Sequence, residues 1–176
     1  MTYDALASIR KEDIPNAAQS LTAQDIKALI ELLNEKNDKL RYPALLLLKS
    51  RSQSHADVYP YFDTFTQKLK SEHSYQRSIG FMLMAQNARW DTPCKLDAAI
   101  DDYLGGVDDE KPVTARQCIQ ALEKVAPHKP ALLGRIAARL MQVDIGAIRP
   151  TMQKLIVMDI LNVLLTIRRI QPSDNI

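Results

Sequence analysis

A basic residue followed by apolar residues at fixed offsets recurs four times along this chain of 176 residues. Arg41 is followed by Ala44, Leu47 and Leu48 at +3, +6 and +7. Arg77 is followed by Gly80, Leu83 and Met84 at the same offsets, and Lys154 by Val157, Ile160 and Leu161. Arg116 is followed by Ile119 and Leu122, with Glu123 breaking the last place. The four anchors lie 36, 39 and 38 residues apart. A period near 40 of this kind predicts helical pairs stacked in an array. The clearest copy runs from Ser74 to Ala85 and ends in an uninterrupted apolar run from Ile79. That run is expected in the buried middle of the stack, with Leu83 in the core and Gly80 at a close helix–helix approach.

The segments between the anchors supply the partner helices. Thr22 with Asp25 three places on has the form of a capping box, and Ile26, Leu29, Ile30 and Leu33 follow as one apolar stripe. Asn37-Asp38 ends that helix and caps the next, with Pro43 expected in its first turn or at a kink. Val58, Phe62, Phe65 and Leu69 make a second stripe, entered near Pro60. Thr92-Pro93 reads as a cap with proline at the first helical position, opening a third stripe of Leu96, Ala99, Ile100, Tyr103 and Leu104 that Gly105-Gly106 terminates. Pro112 starts the partner helix to about Val125. Pro130 starts a fourth stripe of Leu133, Ile136, Ala137, Leu140 and Met141, and Pro150 opens a last helix to about Ile170. The first helix of each pair has a narrow stripe and one wet face. The second is apolar over more of its circumference and is expected to lie between neighbours. Residues 1–20 form an N-terminal segment with one short helix around Asp4–Lys11; 21–170 carry the repeats and 171–176 a tail, all in one domain.

Composition agrees. Aromatics are 6% and glycines number five, which disfavours a turn-rich all-β fold. Residues 1–110 hold 13 Lys/Arg and 17 Asp/Glu, while 111–176 hold 10 and 4. A molecule charged oppositely at its two ends is expected to orient a partner. Cys94 and Cys118 are the only cysteines, too far apart for a CxxC site or a disulfide framework. The first eleven residues lack the apolar core of a secretory signal. The most apolar segment, Leu155 to Ile167, is interrupted by Asp159 and Asn162. A reducing cytoplasm without membrane insertion is the expected setting.

With its anchors at Arg41/Ala44/Leu47, Arg77/Gly80/Leu83, Arg116/Ile119/Leu122 and Lys154/Val157/Ile160, the chain resembles the HEAT/armadillo class of α-solenoids over roughly residues 21–170. The aspartate that usually precedes the arginine in that class is replaced by Leu40, Gln76, Ala115 and Gln153. The resemblance implies an all-α fold, a right-handed α-α superhelix of about four HEAT-like pairs, and says almost nothing about function. The chain is also similar to small bacterial HEAT-type proteins that carry an iron–sulfur-assembly name, which two unclustered cysteines do not support chemically. HEAT-like alkylpurine DNA glycosylases use aromatics and an acidic residue on such a scaffold, but this chain is short for that group and has one tryptophan, Trp90.

The residues point to no reaction. The histidines, His55, His73 and His128, are scattered at turns, and no metalloprotease, nucleophile-elbow or phosphate-loop motif occurs. No enzyme activity, cofactor or metal is expected. Asp97 and Asp101, one helical turn apart in the run Asp97, Asp101, Asp102, Asp108, Asp109 and Glu110, have the spacing of paired carboxylates, but a solvated outer face is the simpler reading. Cys94 is expected to be a surface or packing thiol. Arg41, Arg77, Arg116 and Lys154 are candidates for a basic ridge that meets a partner; alternatively each secures a loop of the stack. Arg89, Arg149, Arg168 and Arg169 are freer candidates. The leading reading is a non-enzymatic scaffold binding a protein or peptide on its concave face, with nucleic acid as the alternative partner. The last helix is apolar around most of its circumference. Its Ile156, Ile160, Val163, Leu164 and Ile167 are candidates to pair with a second copy about a two-fold axis; alternatively the first residues of the chain or the helix's own partner cover them.

Overall fold

The computed structural model describes residues 3–172, and the side chains from residue 6 on. The far end of the tail expected over 171–176 lies outside the described residues. Among them the regular structure is wholly helical: α1 (Tyr3–Ser8), α2 (Ile14–Gln19), α3 (Ala23–Leu32), α4 (Asp38–Arg51), α5 (Phe62–Lys68), α6 (Ser74–Asn87), α7 (Lys95–Ala98), α8 (Ile100–Gly105), α9 (Pro112–Val125), α10 (Leu133–Met141) and α11 (Pro150–Ile170), with short 3-10 turns between several of them.

Local chemistry sets most boundaries. The Thr22 hydroxyl accepts from the Asp25 amide, and the Asp25 carboxylate accepts from the Thr22 amide in return. Asn37 caps α4 by accepting from the Lys39 amide. Pro112 and Pro150 sit in the first turns of α9 and α11, where a missing N–H costs nothing. Pro43 lies inside α4.

The helices α4, α6, α9 and α11 form a row, each packed on the next, and α3, α5 and α10 pack against α4, α6 and α11 respectively. Residues at the start of α4, α6 and α9 border one pocket and the ends of the same three helices border another, so the three run in the same direction. The middle of the row is the core. Leu47, Leu48, Leu83, Met84, Ile119 and Leu122 are fully buried. Gly80 permits the α5–α6 approach, since a Cβ there would lie 2.8 Å from the Phe65 carbonyl oxygen and from a Leu69 methyl. The stripes of the shorter helices all face this row, except that Met141 is exposed.

Three expectations need correction. The N-terminal segment holds two helices, not one: α1 and α2 pack on α4 and bring Leu6, Ile14 and Ala18 into the core. The third stripe is broken at Ala99 into α7 and α8. Its cap is not Thr92-Pro93. Asp91 performs that task, accepting from the amides of Lys95 at 2.8 Å and Leu96 at 2.9 Å, while Cys94 takes a left-handed conformation with φ 59°. Gly105 and Gly106 do end the helix, α8 closing at Gly105 with Gly106 as its C-cap; both are right-handed, and Gly106 is needed because a Cβ there would meet the Phe81 ring. That ring lies edge-on to buried Tyr103, whose hydroxyl donates to the Phe81 carbonyl at 3.1 Å.

Candidate binding face

The basic anchors separate into structural and free residues. Arg41 donates to the Glu35 carbonyl at 2.9 Å, pairs with Asp38 and lies over the Tyr75 ring. Arg77 repeats the first contact one pair later, donating to the carbonyls of Ser71 at 2.8 Å and Glu72 at 3.0 Å. It also forks onto Asp109 at 2.6 and 2.8 Å. Burial pushes the Asp109 carboxyl up, but the Arg77 fork, the Lys111 amide and the charges of both residues together hold the group below the usual carboxylate range. Arg116 pairs with Asp159 of α11 at 2.6 Å, and Gln120 donates to the same carboxylate. These three arginines hold loops and neighbouring helices together, as the structural alternative has it. Lys154 and Arg149 are exposed and have no carboxylate of the described residues within ion-pair distance; Arg149 borders a pocket between the loops before α9 and α11. Arg89 is exposed, donates to the Gln53 carbonyl and lies over the Trp90 ring.

The acidic run is internally paired rather than merely solvated. Asp97 meets Lys129, Asp101 meets Arg135, Asp102 meets Lys70, Asp108 meets Arg139, and Asp109 and Glu110 meet Arg77. Three of these basic partners lie beyond residue 110, so the opposed charges of the two halves largely neutralise each other across the third and fourth pairs. Asp91 centres a further network, bonded by the Tyr59 hydroxyl at 2.7 Å and by the Lys129 ammonium at 2.7 Å. Burial raises the Asp91 carboxyl, yet these donors and the two α7 amides together hold it low. Every group there has a partner within the fold, so the network serves the stack. No cluster of metal-binding side chains occurs among the described residues.

What remains open is the face of α4, α6 and α9 turned away from the shorter helices. Near their starts lies an apolar pocket of about 410 Å³, bordered by Tyr42, Leu45, Ile79, Met82 and Val113 and rimmed by Asp38, Arg41 and Lys111. Tyr42 is 47% and Val113 65% exposed at its mouth, while Leu45 and Ile79 are buried beneath them. Further along, Met82 and Gln117 pass from this pocket into a smaller one bordered by Ala85 and Ala121 and flanked by Lys49, Gln86, Gln120 and Lys124. That passes in turn, through Gln86 and Lys124, into a hollow at the helix ends with Arg89 and His128. The result is one trough, apolar at its head, neutral-polar and basic along its length. No protein-family model matches the chain, and neither does any curated protein or solved structure.

Tyr42, Lys49, Val113 and Lys124 are residues that the repeat pattern does not single out. A signal for two of them exists: Lys49 and Lys124 each stand eight residues after an anchor, Arg41 and Arg116. The residues expected to meet a second copy are placed otherwise. Ile156, Ile160, Val163 and Ile167 are buried inside the chain and Leu164 is half-buried. The reason is Asp159: Arg116 draws it inward, which turns that side of α11 toward α9 and leaves Leu155, Met158, Leu161 and Leu165 outside, 41–54% exposed. By length and composition alone α11 would also span a membrane, a test that core helices pass too.

Proposed function

We propose that the chain is a non-enzymatic binding scaffold, a short right-handed solenoid of HEAT-like pairs whose concave face takes another protein or peptide. The observation that carries this reading is the trough across α4, α6 and α9, open along its length and headed by an apolar pocket. The charged side chains of the acidic run and its basic partners are satisfied within the fold, whereas this surface presents Tyr42 and Val113 to solvent. The row of parallel helices and the recurrence of the Arg41 loop contact at Arg77 support the repeat reading, as expected where each unit touches only its neighbours. Nucleic acid fits less well. Stacking platforms for bases need free ring faces. Tyr75 has His73 stacked on it and Arg41 over its ring, Arg89 lies over the Trp90 ring, and Tyr59 packs against Phe62.

Affinity capture from native cell extract, run in parallel with the wild type and Val113→Glu, tests the proposal. A partner retained by the wild type and lost with the variant supports it. Equal retention by both moves binding off this face. A second reading rests on the exposed α11 stripe: a symmetric dimer through Leu155, Met158, Leu161 and Leu165. Sedimentation at tens of micromolar protein decides it, since a monomer excludes that pairing.

A further inference from the structure

We infer that the trough receives a short acidic segment of a partner protein, seating one bulky apolar side chain in the Tyr42–Val113 pocket and its carboxylates on Lys49 and Lys124. This rests on the concave-face reading and names the chemistry of what that face takes.

The charge argument comes first. The acids elsewhere on the third and fourth pairs are consumed by basic partners, as set out above. In the middle of the trough the balance reverses. Lys49 and Lys124 both border it, no Asp or Glu does, and neither lysine has a carboxylate of the described residues within ion-pair distance. Lys49 is half-buried, with its ammonium 3.6 Å from the Met82 sulfur. Burial, and then the neighbouring Lys124 charge, push its pKa down. Both lysines stand in the last turns of their helices, where a cation favours the helix dipole. The dipole rewards a last-turn cation whichever way its side chain points. It does not account for two lysines bordering one hollow, where the Lys124 charge disfavours the ammonium of Lys49. An incoming carboxylate removes that cost, and a partly desolvated pair strengthens the attraction. Arg89 extends the same sign to the end of the trough, where Glu123 is the one acid that borders it; burial and the Arg89 charge push the neighbouring His128 toward its neutral form.

The shape argument selects a peptide. The three helices are 14 residues each, so the trough is about 20 Å long, the span of about six extended residues. Its head is apolar and large enough for a leucine or aromatic side chain. The polar groups between head and lysines are Gln86, Gln117 and Gln120, neutral amides that donate to and accept from a peptide backbone. The apolar head supplies the anchor on which such interfaces depend, and the lysines supply sign selectivity.

The experiment is selection from a displayed library of random dodecapeptides on the native chain, followed by anisotropy measurements on the recovered peptides. The expected result is enrichment of sequences with one large apolar residue beside two or more Asp or Glu. Their affinity falls with added salt, falls about tenfold or more in Lys49→Gln/Lys124→Gln, and is lost in Val113→Glu. Both variants alter exposed or half-buried groups and are to be shown unchanged in thermal unfolding. Enrichment of neutral or basic peptides that Val113→Glu abolishes overturns the acidic assignment and leaves the scaffold standing. Recovery of no peptide, or of peptides indifferent to both variants, overturns both. Tighter binding of an oligothymidine than of the best acidic peptide overturns the peptide assignment in favour of a phosphate backbone.

Discussion

Gly105 and Gly106 are adjacent, both right-handed, and differ only in what surrounds them. A Cβ on Gly105 meets nothing within 4 Å, while one on Gly106 would lie 2.0 Å from the Phe81 ring, itself pinned against Tyr103. Gly106→Ala is therefore expected to destabilise by about 1–3 kcal/mol through overpacking, and Gly105→Ala to be neutral or stabilising by less than about 1 kcal/mol. Denaturant unfolding of the two variants measures the difference; equal effects would contradict the packing described. Lys68 offers a test by pH. It is buried, its ammonium donates to Asn34 at 2.6 Å and to Gln76, and no acid of the described residues lies within ion-pair distance of it. Burial lowers its pKa from 10.5 to about 8. Between those values the unfolded chain holds a proton that the folded chain has released, so stability rises with pH from about 8. Above 9.0 the buried Cys118, whose thiol burial pushes up, opposes this. The wild type is thus expected to gain stability relative to Lys68→Met between about pH 8 and 9. Parallel pH profiles for the two proteins would refute a depressed Lys68.

Among the helices, α11 is the instructive case. Its hydrophobicity alone does not say which side is inside, because aliphatic residues occupy nearly every direction around it. The single carboxylate Asp159 settles the matter. Placed toward solvent it would leave Arg116 of α9 unpaired; placed inward it meets Arg116 at 2.6 Å and is itself 8% exposed. Ile160 and Leu161 then fall on opposite sides, at 7% and 46% exposure. Ile160→Glu is expected to unfold the C-terminal part of the row, since an unpaired charge would enter the core. Leu161→Glu is expected to leave the melting temperature within experimental error of the wild type. Circular dichroism melts of both substitutions check this, and the reverse order would mean that α11 is rotated about its axis. The same reasoning explains α7, where a buried aspartate four residues upstream caps the helix in place of the Thr-Pro pair beside it.

Along the row of helices, side-chain contacts between neighbouring elements recur at similar sequence separations. Lys95 meets Asp63 and Arg77 meets Asp109 across 32 residues, Asn87 meets Ser52 at 35, and Ser78 meets Thr114 at 36. Each polar contact bridges one unit to the next, so removing a buried one weakens the stack at a single junction. Asp109→Ala would leave the two Arg77 N–H groups of the fork without their carboxylate in a side chain only 14% exposed, with Ser71, Glu72 and Glu110 still beside it, and is expected to cost about 1–3 kcal/mol. Asp101→Ala, at an exposed pair, should leave the unfolding midpoint unchanged. Chemical denaturation of the two substitutions measures the contrast, and similar midpoints would show that the Arg77–Asp109 pair does not hold the junction.

Short-range pattern was enough to place most of the helices and the inward faces of the striped ones, though not the second N-terminal helix or the inner side of α11. Ile26, Phe62, Leu83, Ile100 and Ile136 were all legible as core, because a helix repeats its face every three to four residues. Asn37, Pro112 and Pro150 marked helix starts for the same local reason. Stacking alone settled which cations are spent and which are free. Arg77 and Arg116 looked like Lys154 in the repeat, yet their fates depend on Asp109 and Asp159, carboxylates 32 and 43 residues away that only the packed row brings within 2.6 Å. The trough was hidden for the same cause. Tyr42 and Lys49 lie on one helix and Val113 and Lys124 on another, and no pattern within either records that a neighbour's apolar or charged residue will face the same hollow.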